Sequence, residues 1–416
     1  MSDTPKLLLD SFQAVIEAVN PKHFIKNHVP SEPKGRLIVV GAGKASALMA
    51  AAFEDSYNGK IEGIVVTRYG YAVNTRHIKI MEAAHPVPDE AGQKAANEMI
   101  TLLQTANEDD LVICLISGGG SAFLSAPVEG VSFEELQDLN SELLKCGAGI
   151  HEINTVRKHL NIALGGGLAQ AASKAKMITL SISDVVGDDP STIASGATVP
   201  DATTLQDALT VLDKYDIQAN ENILSALKNH NNETPKPDDG IFDGNEYHIV
   251  ASARTALDAA TAFWEDQGFN VHILDADVEK DTNKAARDHM QFLQEQQDLT
   301  SPCAILSGGE TTVTVSGNGK GGPNTQFMLQ AALLLNGRDK IYGLACDTDG
   351  IDGIGDHAGA FITPDTLQLA QETAISPEQC LAENNSYAFF EKTGQLVKTG
   401  PTFTNVNDYR VFLLWP

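Results

Sequence analysis

Residues 37–55 read LIVVGAGKASALMAAAFED. The apolar run Leu37 to Val40 is strand-like, Gly41-Ala42-Gly43 is a turn, and Lys44 to Asp55 has the composition of a helix. A short buried strand that turns on glycine into a helix is the repeating unit of a parallel α/β sheet, in which crossover helices cover both faces. Such sheets place their binding loops at the carboxyl ends of strands, so each junction of this kind is also a candidate site.

The alternation extends along the chain. Strands are expected at Ile61 to Thr67, Leu111 to Ile116, Met177 to Ile182, Tyr247 to Ala251, Val271 to Leu274, Ala304 to Leu306, Thr311 to Val315 and Ile341 to Cys346. Helices are expected at Lys6 to Val19, Asp89 to Thr105, Phe133 to Cys146, Thr204 to Lys214, Thr255 to Gln267, Lys280 to Gln296 and Asn324 to Asn336. Ser132 and Glu135 form the capping box of the helix at Phe133, and Gly147 follows its last turn. The polar stretch Lys228 to Asn245, rich in Asn, Pro, Asp and Gly, breaks the pattern. The expected fold is therefore α/β, with two α/β domains of mainly parallel sheets: a Rossmann-like N-terminal domain over residues 1–236 and a C-terminal α/β domain over residues 237–416.

Composition excludes several classes. Of 416 residues, 42% are hydrophobic and 20% charged, which is ordinary globular usage and argues against a disordered chain. Acidic residues outnumber basic ones by 55 to 29, giving a formal charge of −26 and a pI near 4.7. Such a surface repels nucleic-acid phosphates and anionic lipid, so neither nucleic acid nor membrane is expected as a partner. Apolar stretches such as Leu111 to Ile116 are far short of a bilayer span, and Met1 to Asp10 carries an acid where a secretion signal wants a base. A cytoplasmic location is the expectation. The five cysteines are scattered without a C-x-x-C pair, and Cys114 and Cys346 sit in apolar runs as core residues.

Five loops could carry chemistry. Gly41-Ala42-Gly43-Lys44-Ala45-Ser46 combines helix-start amides with a mobile cation, the ingredients of an anion site. It is not a dinucleotide fingerprint, which needs a third glycine where Ser46 stands and an acid near Val66-Thr67. Nor is it a P-loop, because Ile38 and Ala45 occupy positions of the required Gly and Ser or Thr. Ser117-Gly118-Gly119-Gly120-Ser121 lets several N–H groups converge on a carboxylate or phosphate, and Asn154, Arg157 and Lys158 add an amide and two bases nearby in sequence. Asp184, Asp188 and Asp189 after the strand Met177 to Ile182 are hard oxygen donors for Mg²⁺ or a base for a hydroxyl. Ser307-Gly308-Gly309-Glu310 and Asp347-Thr348-Asp349-Gly350-Ile351-Asp352-Gly353 complete the set; the latter is no calcium loop, since Ile351 and Ala358 fall on ligand positions. His85, in a proline-rich turn, is expected to be structural.

In order and spacing, VVGAGKA (39–45), HPVPDEAG (85–92), ISGGGSA (116–122), EINTVRKHL (152–160), SDVVGDDP (183–190), IASG (193–196), SGGETTVTV (307–315), DTDGIDG (347–353) and TGPTFTNVND (399–408) resemble the class II glycerate 2-kinases. The C-terminal half of that family is called the MOFRL domain, and its members have often been labelled hydroxypyruvate reductase. The resemblance implies ATP- and Mg²⁺-dependent phosphorylation of D-glycerate or a closely related small hydroxy acid at its 2-hydroxyl, in an interdomain cleft. Whether the assembly is a homodimer stays open. Carried onto this chain, the resemblance implies Lys44 and Asp184 as catalytic residues. It implies Ser117, Gly118, Gly119, Gly120, Ser121, Asn154 and Arg157 for the substrate. For the nucleotide it implies Gly41, Gly43, Ser195, Gly196, Asn324 and Asp349, and for Mg²⁺ Asp188 and Glu310. Two basic motifs depart from the family pattern: K-G-G-R is replaced by Leu164-Gly165-Gly166-Gly167, and the arginine of G-G-R-N-Q-E by Pro323. The alternatives are a hydroxypyruvate reductase and a catalytically weakened metabolite-binding protein.

Overall fold

The computed structural model describes residues 3–296 and 300–416; Met1 and Ser2, which open the segment read for a signal, lie outside them. Two compact units result, one running Pro21–Val250 and the other Ala251–Pro416 together with the segment up to Asn20. Among the described residues, no helix is long and apolar enough to cross a membrane.

The first unit is built on six strands: β1 (Leu37–Ala42), β2 (Ile61–Arg68), β3 (Ile78–Ala83), β4 (Leu111–Ile116), β5 (Lys176–Ile182) and β6 (Glu246–Ala251). Their order is β3-β2-β1-β4-β5-β6, the doubly wound arrangement that the opening stretch predicts. β1 pairs in parallel with β2 and β4, and β2–β3 and β4–β5 are parallel too. Every residue of β1 is buried, because helices cover both faces. Ile38, Val40, Val112, Cys114 and Ile116 pack there against Met99 and Leu103 of the helix Glu90–Gln104, and burial pushes the Cys114 thiol far above its ordinary pKa. The capping box at Ser132 forms as expected: the Glu135 amide donates to the Ser132 hydroxyl at 3.2 Å and the Ser132 amide to the Glu135 carboxylate at 2.7 Å.

The second unit carries β7 (Asn270–Asp281), β8 (Cys303–Thr312), β9 (Ile341–Asp347), β10 (Gly359–Ile362), β11 (Leu396–Val397) and β12 (Asp408–Leu414), in the order β11-β10-β9-β12-β8-β7. β7 and β8 are parallel, whereas β12 runs antiparallel to both β8 and β9, and β10 antiparallel to β9 and β11. Four strands thus share one direction and two oppose it. The opposing strands have no crossover helix before them, so the strand–helix alternation that announces parallel strands is missing at β10 and β12.

The units meet in sequence at Val250/Ala251, where a division at 236/237 was expected. The polar stretch leads into β6, which joins the first sheet beside β5. The helix Thr4–Ala18 belongs to the second unit: Phe12 stacks on Tyr409 with centroids 6.3 Å apart, and the Tyr409 hydroxyl donates to Ser11 at 3.1 Å.

Candidate active site

Strand order in the first sheet reverses between β1 and β4, and at such a switch point the two following loops diverge and leave a crevice at the carboxyl ends. Two sequence-selected loops leave the sheet there. They are laced together: the Lys44 amide donates to the Gly118 carbonyl at 2.9 Å, and the Ala45 amide donates to the Ser117 hydroxyl at 2.9 Å, with Ser46 Oγ 3.2 Å from Ser117 Oγ. Gly43, at φ 142°, has to be glycine, since a Cβ would lie 2.4 Å from the Ser117 carbonyl oxygen. Ser117 is fully buried and its hydroxyl is a latch rather than a ligand contact. Gly41 lies inside β1, where a Cβ would come 2.3 Å from the Leu115 carbonyl oxygen, so packing against β4 explains it. Lys44 itself is half-buried.

The second loop turns at Gly119, which has φ 79° and where a Cβ would come 2.8 Å from His85 Nε2, so His85 packs closely on the glycine turn. From Ser121 a relay runs inward. The Ser195 hydroxyl donates to Asn154 Oδ1 at 3.1 Å and stands 2.8 Å from the Ser121 hydroxyl, which therefore supplies the proton of that contact. Ser195 is wholly buried, and Ala194 and Ser195 both adopt left-handed backbone, at φ 47° and 50°. Two such non-glycine residues in succession are strained by roughly 1–3 kcal/mol each. The Ser195 and Gly196 carbonyls accept from the Gly165 and Gly166 amides at 3.0 and 2.7 Å, which ties this turn to the Leu164–Gly167 loop.

The helix Ile150–His159 divides its polar residues between two jobs. Lys158, expected beside Arg157 as part of an anion clamp, instead lies buried 3.4 Å from Asp201, and the Glu233 carboxylate accepts from His159 Nε2 at 3.0 Å. Arg157 points elsewhere: its Nε donates to Asn140 Oδ1 at 2.9 Å, and no carboxylate pairs with it among the described residues. Burial lowers its affinity for the proton, as uncompensated desolvation of a cation must. Asn140, on the helix Phe133–Lys145, was invisible in the sequence because an amide in a polar helix has no motif; only its partner identifies it.

After β5, Asp184 and Asp188 are half-buried, and Asp188 has φ 55°. Asp189 serves its own turn, accepting from the Ser191 hydroxyl at 2.7 Å and amide at 2.9 Å. Burial alone would raise its carboxyl pKa, but these bonds hold it below the ordinary value.

In the second unit, Glu310 is exposed near the end of β8. Asn324 is buried at the start of the helix Pro323–Leu335, with its amide nitrogen 2.6 Å from Asp408. Asp352 accepts from the Asn324 and Thr325 amides, each at 2.8 Å, so a carboxylate of the chain already fills this helix N-terminus. Asp349 is buried and accepts from the Ile351 amide at 2.8 Å. Among the described residues, no group of three or more His, Cys, Asp and Glu side chains could hold a metal by itself.

Comparisons with known proteins cover both units. A family described as a domain of unknown function (DUF4147) matches residues 7–228, and the MOFRL family matches residues 303–408. The D-glycerate 2-kinase of Thermotoga maritima is 39% identical over 98% of this chain and 98% of its own length. The glycerate 2-kinase of Pyrococcus horikoshii is 39% identical over 96% of this chain and 92% of its own. A protein of Agrobacterium vitis that bears hydroxypyruvate reductase as a provisional name is 45% identical over 97% and 93%. The crystal structure of the Thermotoga maritima glycerate kinase superposes with a TM-score of 0.90 at 38% identity, covering all of both chains.

Proposed function

The chain belongs to the glycerate 2-kinase family, and from that premise we propose that it transfers the terminal phosphoryl group of ATP to the 2-hydroxyl of D-glycerate or a closely related small hydroxy acid. The observation that carries this reading is the lacing of the Lys44 loop onto the Ser117–Ser121 loop at the sheet's switch point. Phosphoryl transfer needs positioning and charge neutralisation more than covalent help, and a lysine whose backbone is fixed beside the glycine turn suits both.

In this proposal Lys44 neutralises the phosphoryl group in flight, while the amides of Gly118 and Gly119 and the Arg157 guanidinium hold the acceptor's carboxylate, the Gly120 amide donating instead to the Ser117 carbonyl. Asp184 receives the hydroxyl proton as the new O–P bond forms and the bond from the γ-phosphorus to the bridging oxygen of ADP breaks. A magnesium ion fits the donor set only in its usual manner, with one or two carboxylates completed by water and phosphate oxygens, and Asp188 is the candidate in the first unit. When bound it would screen the phosphate charges. Glu310, Asn324 and Asp349 stay in the proposal as metal and nucleotide candidates from the second unit. Ser195 and Gly196 act through the backbone turn and the relay to Ser121 and Asn154 rather than by reaching a nucleotide with a side chain.

The test is an ADP-release assay with ATP, Mg²⁺ and D-glycerate, with the phosphorylated carbon assigned by NMR. A 2-phosphorylated product is expected. Turnover of hydroxypyruvate with NADH or NADPH in the absence of ATP, and none with ATP, would refute the reading.

A further inference from the structure

His159 closes the helix Ile150–His159, is wholly buried, and has an oxygen against each of its ring nitrogens. Nδ1 stands 2.8 Å from the Thr155 carbonyl, which can only accept a hydrogen bond. Nε2 stands 3.0 Å from Glu233, whose carboxylate also accepts from the Leu205 and Thr234 amides, each at 3.2 Å, and pairs with Lys236 at 2.6 Å. Burial would raise the Glu233 carboxyl pKa, but bonds from Lys236, Leu205 and His159 hold it below the ordinary value, so it is ionised and has no proton to give. The Thr234 hydroxyl, 3.4 Å from the same nitrogen, sends its proton to Asp201 at 3.1 Å. The ring thus faces an acceptor at each end, and only an imidazolium, with an N–H on both sides, satisfies them.

The surrounding charges count the same way. Lys158 pairs with the buried Asp201 at 3.4 Å and lies within electrostatic reach of Asp189, and His159 Nε2 is itself 4.0 Å from Asp201. Asp189, Asp201 and Glu233 therefore stand against Lys158 and Lys236, and a positive charge on His159 balances the set, as buried charges require. The last turn of a helix, where carbonyls lack partners, favours that charge as well.

The helix so fastened carries part of the candidate site. Arg157, two positions before His159, lines a cavity of about 180 Å³ together with Ser121, Ser125, Asn140 and Ser141, and Asn154 takes the Ser195 hydrogen bond. We propose that His159 is held as an imidazolium and is a positioning residue for Arg157 and Asn154, its charge pinning the last turn of their helix to Glu233 and Asp201. This deepens the kinase reading and rests on it for the role of Arg157. Removal of the ring proton would turn a nitrogen lone pair onto the Thr155 carbonyl or the Glu233 carboxylate, and the helix end would shift to relieve the contact. The pin therefore holds at lower pH and loosens as pH rises.

The experiment uses purified full chain with isotope-labelled histidine, in which NMR reads the protonation of each ring nitrogen. KM and kcat for D-glycerate are followed on the same protein by ADP release with ATP and Mg²⁺ between pH 6.5 and 9. The His159 signal is the one missing from His159→Gln, or the one displaced in Glu233→Gln should the first variant not fold. At pH 7.5 both ring nitrogens are expected to carry protons. As the ring loses one, the KM for D-glycerate should rise several-fold with a smaller change in kcat, since a misplacement of about 1 Å in a positioning group can cost up to about 100-fold. Glu233→Gln removes the charge and keeps an acceptor, so it should move both transitions to lower pH together, which a merely structural role would not do. A single ring proton at pH 7.5, a KM that does not follow the ring, or transitions unmoved in Glu233→Gln overturns the inference and leaves the kinase reading intact. If no preparation releases ADP, the kinase reading falls and the Kd for D-glycerate takes the place of KM: a Kd that rises as the ring deprotonates supports the positioning role, and a flat one ends it.

Discussion

The amide of Lys44 and the carbonyl of Gly118 lie 2.9 Å apart, so the turns after β1 and β4 move as one piece. The lysine is thereby anchored at its backbone beside the glycine turn, and only its side chain is left to adjust.

Lys44→Ala is expected to lower kcat at least about 100-fold, the usual scale for removing one electrostatic stabiliser. The Tm should hold, because the Lys44–Gly118 bond uses backbone atoms only. ADP release and a thermal melt on the same preparation check both halves.

Gly43→Ala acts on the latch instead. The new methyl would meet Ser117 Oγ and its carbonyl at 2.2 and 2.4 Å, so one turn has to move away from the other. The expected loss of stability is about 2–4 kcal/mol by urea titration, from backbone strain and overpacking together.

Asp184→Asn should reduce turnover more than it weakens nucleotide binding. An amide cannot take the hydroxyl proton, but it preserves the size of the side chain. Comparing kcat with the Kd for ATP distinguishes this from a binding defect.

His289 sets a pH dependence in the second unit. It is buried between the Ala285 carbonyl and the Ser307 hydroxyl, both at 2.8 Å, and burial, reinforced by Arg410, lowers its pKa from 6.5 to about 4. The unfolded chain therefore binds a proton that the folded one refuses, so stability is lost as pH falls from about 6.5 towards 4, by up to roughly 3 kcal/mol. His289→Gln should flatten that slope relative to the parent chain when unfolding is followed at pH 4.5 to 7.

The first sheet was readable because its central strands are uniformly apolar runs that end on glycine, and β4 falls at the expected residues, Leu111 to Ile116. β3 escaped notice because it is an edge strand carrying Lys79 and Glu82, as edges do to discourage pairing with other chains. β12 escaped for a different reason: Asp408–Leu414 follows a loop instead of a crossover helix. In the site, glycine spacing picked out the Lys44 and Ser117–Ser121 loops. It could not reveal that Lys158 turns to Asp201 while its neighbour Arg157 faces a cavity, because that split depends on which side of one helix the long-range partners occupy.

β12 is buried along its whole length between β8 and β9, and it holds the helix Thr4–Ala18 through Ser11 and Phe12. That contact joins segments about 390 positions apart in sequence, Thr4–Ala18 and Asp408–Leu414, and the helix packs as well against the helix Ala253–Asp266. The second unit therefore closes only when sequence-distant segments meet, whereas the strands of the first sheet all lie between Leu37 and Ala251. A chain truncated before Asp408 should consequently lose the Phe12–Tyr409 stack and the Ser11–Tyr409 bond, and protease should cut the helix Thr4–Ala18 sooner than in the parent chain.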